Sequence, residues 1–209
     1  MSRRDGIIIR RTNTKERILE ESLRLFSTLG YNAVGVEMIA AAVNVTPPSL
    51  YKHFKGKQEI LEEIVNRAEE NYHRHLIPVV NFTDEEINDF DIDRFTKIVM
   101  SQIENLLHDN VIKSVRKLFI IEQYRNERIR MMHIKNTFEN NEERAFIFFS
   151  KLIRVRSNKA DVDIIHLAKL VCYPIISVID RCYCDPDFEK EGLTFIRDHV
   201  RYIWRNYFE

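Results

Sequence analysis

An all-α fold is predicted by three features of this sequence. Glycine and proline are scarce, five of each in 209 residues. Apolar residues recur at helical spacing along most of the chain, and the interruptions fall at recognisable turn signals. Charged residues make up 31% and apolar residues 44%, an ordinary composition for a soluble globular chain with enough apolar surface for one large or two modest cores. About nine helices are expected.

The first helix spans 14–29, with Ile18, Leu19, Ser22, Leu25, Phe26 and Leu29 as its buried stripe. Gly30 stops it by supplying a positive φ, and Tyr31 packs back onto it. The second and third helices, 36–43 and 47–53, enclose a tight turn. Ile39, Ala40 and Val43 form one apolar face, and Asn44 tolerates the left-handed conformation of the turn. Thr46 is placed to cap the third helix. Pro47 stands at its first position, where a missing N–H costs nothing. Leu50 and Phe54, four apart, face inward, so Ser49, Tyr51, Lys52 and His53 face outward. Two short helices at a tight turn, the second with a small, polar, aromatic and basic outer face, read as a helix-turn-helix. The fourth helix starts at Lys57, buries Ile60, Leu61, Ile64 and Val65, and is expected to reach Leu76 before Pro78.

Residues 79–91 have little periodicity, although Thr83-Asp84-Glu85-Glu86 has capping-box spacing. Helices are expected at 92–108, 110–125 and 127–155, the last with a possible break at Asn140-Asn141. After a polar turn at 156–159 comes a helix over 161–182, apolar nearly all round and interrupted by Pro174. Burial on several sides is required of such a helix, and a dimer interface supplies it readily. The last helix, 188–207, carries Leu193, Ile196, Val200, Ile203 and Trp204.

Charge is balanced overall, with 32 basic and 32 acidic side chains, but unevenly placed. Residues 1–60 hold 10 basic and 6 acidic groups, leaving 22 and 26 in the remainder. A basic N-terminal module on an acidic body is the asymmetry expected when one end meets phosphate. Four arginines in residues 1–12 suit a mobile arm reaching DNA or a plain solvated tail. The apolar run Ile7–Ile9 is too short for a signal peptide, and no segment approaches a membrane span. Three cysteines, an odd number, suit a reducing compartment, so a cytoplasmic location is expected.

Three blocks carry a family resemblance. They are Phe26-Ser27-Thr28-Leu29-Gly30-Tyr31; Ile39-Ala40-Ala41-Ala42-Val43-Asn44-Val45; and Ser49-Leu50-Tyr51-Lys52-His53-Phe54-Lys55-Gly56-Lys57-Gln58-Glu59-Ile60-Leu61. In order and spacing they resemble the DNA-binding domain of bacterial TetR-family transcriptional regulators over residues 14–65. The resemblance implies a TetR-like fold: a three-helix helix-turn-helix domain at 1–60, and a helical effector-binding and dimerisation domain at 61–209 whose last two helices pair two subunits. It also implies a repressor released from its operator by a small effector. Gly35, Asn44 and Pro47-Pro48 depart from the family pattern. The double proline removes a basic contact and puts operator preference in question.

The DNA-binding candidates are Thr46, Pro47, Pro48, Ser49, Tyr51, Lys52, His53 and Lys57. Lys52 is the principal base or phosphate contact. Thr46 can cap and touch phosphate at once, and Lys57 stands at a helix start that suits phosphate. Tyr51 and His53 resemble the family's phosphate contacts. One such module binds weakly, so a homodimer on a palindromic double-stranded operator is expected. For the cavity implied by the resemblance, the effector candidates are Phe95, Gln102, Phe119, Tyr124, His133, Phe148, His166 and Tyr173. Composition favours a bulky, largely apolar effector.

Other readings carry less. Cys182 and Cys184, two apart, do not share a helix face, so the cysteines read as core or interface residues and no metal or cofactor is expected. There is no phosphate loop or nucleophile motif, and the two rings of His73 and His75 fall on different faces, so the chain is not read as an enzyme. An activator, a corepressor-dependent regulator and an interaction protein with a degenerate helix-turn-helix remain the alternatives.

Overall fold

The computed structural model describes residues 13–72, 82–156 and 162–209. The arginine arm, His73, His75 and most of the expected turn at 156–159 lie outside these residues. Among the described residues every regular element is helical. The chain divides into two compact units, Met1–Ala68 and Glu69–Glu209. The first extends eight residues past the expected boundary at 60, because Ile60, Leu61, Ile64 and Val65 of the fourth helix are buried.

In the first unit α1 (Thr14–Leu29) begins at Asn13, whose side chain accepts from the Lys15 N–H. It ends at Gly30, with φ 80°, whose N–H donates to the Phe26 carbonyl. Helix α2 (Val36–Val43) ends at Asn44, the one non-glycine residue at positive φ among those described. The Val43 carbonyl at this end accepts from the Arg17 guanidinium of α1. Then come α3 (Pro47–Tyr51) and α4 (Lys57–Tyr72). Ile18, Phe26, Val34, Ile39, Val43, Leu50 and Ile60 are wholly buried in this unit. Arg67 on α4 reaches both oxygens of Glu16 on α1 and also bonds Glu63.

The second unit starts with α5 (Asp84–Asn88), closed by the expected capping box between Thr83 and Glu86. It continues with α6 (Ile92–His108), α7 (Asn110–Glu122) and α8 (Glu127–Ile134). Asp91, Asp109 and Asn126 each cap the following helix with a side-chain oxygen. A π-helical segment, Lys135–Glu139, leads without a gap into α9 (Asn140–Arg156). The disturbance thus falls just before the asparagine pair. The Asn141 amide stabilises it, donating to the carbonyls of Asn136 and Thr137.

Helix α10 (Ile164–Cys184) is capped by Asp163 and runs straight on through Pro174 in sequence. Proline has no N–H for the carbonyl four residues back, which is that of Leu170. His199 supplies the missing donor: its Nε2 lies 3.0 Å from the Leu170 oxygen. A 3₁₀ turn, Pro186–Phe188, connects to α11 (Glu189–Phe208). Gly192 lets α11 approach α10, since a Cβ there would lie 2.8 Å from Val178. The core of this unit is built on Phe90, Phe95, Phe148, Phe149 and Trp204.

Candidate nucleic-acid interface and ligand cavity

Helix α3 is only five residues long, and its orientation comes from two anchors. Leu50 is fully buried, and Phe54, just past its end, is nearly so. Residues between and before them are left outside. Thr46, Pro48, Tyr51, Lys52 and His53 are exposed, and Pro47 and Ser49 are half-buried. Seven of the eight DNA-binding candidates thus lie wholly or partly outward on either side of the buried Leu50.

Two details differ from expectation. Thr46 holds the N-cap position but its hydroxyl makes no capping bond. Pro48 has no N–H to offer it, and the Ser49 N–H donates instead to the Thr46 backbone oxygen. The Thr46 side chain is therefore not committed to the helix. Lys57 is turned inward: its ammonium donates to the carbonyls of Tyr31 and Val34, both at 3.0 Å, and lies 4.4 Å from the Tyr31 ring centroid. It fastens the loop after α1 to the start of α4, which takes it away from the outward face of α3.

The second unit encloses a cavity of about 140 Å³ among α6, α7, the π segment, α9 and α10. Part of its wall is aromatic. Phe82, Phe90, Phe148 and Phe95 line it, in that order, with centroid separations of 5.1–5.3 Å between successive rings. Its polar contributors are Gln102, Arg116, Thr137, Asn141 and Arg144. Arg116 bonds Asp180 at 2.6 Å, and Thr137 faces the His133 Nδ1 at 3.3 Å. His133 is held below its ordinary pKa by burial first and then by the nearby Arg116 charge, with Asp180 opposing.

Of the effector candidates, Phe95, Gln102 and Phe148 line this cavity. His133 stands behind Thr137, and Phe119 is buried without reaching the wall. Tyr124 is 85% exposed, His166 is exposed, and Tyr173 is half out of the surface and bonded to Glu142. An aromatic or histidine on a helix is not thereby on its inner face, and these three fall on the outer one. Sequence reasoning missed Arg116, Arg144, Asn141 and Phe90. Arg144 and Asn141 stand four and seven residues before Phe148, the spacing that shares its face.

The cysteines divide. Cys172 lines the cavity, with burial pushing its thiol up to about 12. Cys182 is buried and Cys184 exposed. Among the described residues no cluster of histidine, cysteine and carboxylate side chains could hold a metal ion. None of their helices is long and apolar enough to cross a membrane.

A helix-turn-helix unit joined to a helical unit with its own internal cavity defines a class of two-domain helical proteins. Residues 18–64 match the family described as bacterial regulatory proteins, tetR family. The N-terminal domain is thus similar to that of this family, and the fold is similar to that of solved regulators. Similar proteins include the HTH-type transcriptional regulator AcrR of Shigella flexneri, 40% identical over 58 residues, which are 28% of this chain and 27% of AcrR. The negative transcriptional regulator IcaR of the biofilm operon icaADBC in Staphylococcus aureus is 39% identical over 51 residues, 24% of this chain and 27% of its own. The matched region thus spans about a quarter of these relatives' length. A structure of SmeT in complex with triclosan superposes over 92% of this chain and 90% of its own, with TM-score 0.67 and 16% identity. SmeT is the repressor of a Stenotrophomonas maltophilia multidrug efflux pump.

Proposed function

We propose that this chain is a cytoplasmic DNA-binding transcriptional regulator that acts as a homodimer on a palindromic operator. In this reading it represses until a small, largely apolar effector enters the cavity of the second unit, and it performs no catalytic step. The observation that carries the reading is the outward segment 46–53 within a domain matching the family. Tyr51 and Lys52 offer a hydroxyl and an ammonium to phosphates or base edges, while Thr46, Pro47 and Pro48 present small groups suited to close approach. The aromatic-lined cavity, and the bound triclosan in a protein of the same fold, support the effector half.

An effector weakens DNA binding only if it binds better to the conformation that fits the operator poorly. A titration with candidate effectors therefore separates release from corepression by sign. The DNA-binding half is tested by mobility shift with DNA from upstream of the protein's own gene. Tyr51→Ala and Lys52→Ala are each expected to weaken binding by about tenfold, or roughly 1.4 kcal/mol, with circular dichroism unchanged. Full binding by both variants would sink the assignment.

A further inference from the structure

We propose that the cavity takes an amphipathic monoanion: a carboxylate, or a group of like charge and shape, on an apolar or aromatic body. This rests on reading the cavity as the effector site and adds the charge of the ligand to it.

The residues lining the cavity include two guanidinium groups, Arg116 and Arg144, and no aspartate or glutamate. Arg116 is largely enclosed, with only 12% of its side chain exposed. Asp180 pairs with one of its terminal nitrogens at 2.6 Å, but Asp180 is itself 45% exposed, so its charge is shared with solvent. The Arg116 Nε is buried with no hydrogen-bond partner, a sign that this cation is incompletely compensated. Arg144 lies close enough to the Cys172 thiol for its charge to oppose the upward shift there.

The neutral groups of the same wall are already engaged. The Asn141 amide serves the π segment, and the Thr137 hydroxyl faces His133. What the wall offers an incoming ligand is therefore positive charge together with phenyl rings. A cation would meet two guanidiniums and no carboxylate in the wall. A dianion would surrender more hydration than one incompletely paired arginine returns. A single negative charge complements Arg116, while its apolar body lies against Phe90, Phe95 and Phe148.

The chain has one tryptophan, Trp204, whose ring lies 5.3 Å from that of Phe95 in the cavity wall, so its fluorescence reports occupancy. The test compares matched pairs, decanoate with 1-decanol and 4-phenylbutyrate with 4-phenyl-1-butanol, by tryptophan fluorescence and calorimetry on the full chain. At least one carboxylate is expected to bind about tenfold tighter than its alcohol. Arg116→Gln is expected to remove that preference while keeping alcohol binding, and Arg116→Lys to restore it. If Arg116→Gln does not fold, Arg144→Gln is measured in its place and is expected to reduce the preference. Equal binding of acid and alcohol, absence of binding by both carboxylates, or an undiminished preference in the folded glutamine variants would overturn the proposal. DNA release is measured separately with the same compounds. Carboxylate preference without DNA release removes the effector reading and leaves the anion site. DNA release by the alcohols as readily as by the acids does the reverse.

Discussion

Single residues decide how the helix-turn-helix is held. Arg67 grips both Glu16 oxygens, and that hydrogen bonding, ahead of its charge, holds the Glu16 carboxyl below its ordinary range. A depressed carboxylate contributes stability that is complete above the ordinary glutamate pKa and lost as pH falls through the lowered value. The pair is more than a third exposed on both sides, so solvent screening limits its worth. Glu16→Gln is expected to lower unfolding free energy by up to about 1 kcal/mol at neutral pH. In urea melts the difference from the unsubstituted chain should shrink towards zero as pH falls below the ordinary glutamate range and through the lowered value. Lys57 illustrates the limit of reading residues by type. A lysine at a helix start suits a phosphate, but two backbone carbonyls and the Tyr31 ring claim this one.

At the scale of elements, α10 and α11 depend on one another through two unlike contacts. The His199 ring serves the Leu170 carbonyl that Pro174 cannot. His199→Leu is expected to cost about 1 kcal/mol, because it leaves that carbonyl without its donor. Pro174→Ala restores a backbone N–H, so in that background the same change should cost less than about half as much, a coupling that a double-mutant cycle in urea measures. The second contact is the close crossing at Gly192. A Cβ there would lie 2.8 Å from Val178 and 3.0 Å from Phe188, both packed side chains. Gly192→Ala is expected to destabilise by about 1–3 kcal/mol in thermal melts, and Val178→Ala to recover part of the loss.

For the whole molecule, the question is what covers the apolar side chains left outside. Ile165 and Tyr173 on α10, with Phe195 and Tyr202 on α11, are 44–62% exposed. Under the proposed homodimer these two helices meet their copies, and the apolar surface is removed from water. Sedimentation equilibrium is expected to give a dimer for the native chain. Phe195→Glu combined with Tyr202→Glu should yield a folded monomer with weakened operator binding, since one half-site is then held at a time. A dimer that persists in the double variant would place the interface elsewhere.

Much of this protein was legible in its sequence, because the signals are local. The stripe from Ile18 to Phe26, the stop at Gly30, the left-handed Asn44 and the Thr83–Glu86 box each depend on residues within a few positions of one another, although Leu29, expected to end the stripe, is 48% exposed. The outward face of α3 follows likewise from Leu50 and Phe54 pointing in. The cavity was legible only in part. Helical spacing finds the inner face of one helix, which is how Phe95, Gln102 and Phe148 were reached, but not which inner faces leave a gap when helices meet. Tyr124 and His166, chosen by type, lie on the outside, whereas Arg116 and Arg144, charges that would be expected outside, line the wall. The inward turn of Lys57, the partner of the Leu170 carbonyl and the charge of the cavity were decided by tertiary structure alone. Each depends on groups 23 or more residues apart, brought together by packing that no local pattern encodes.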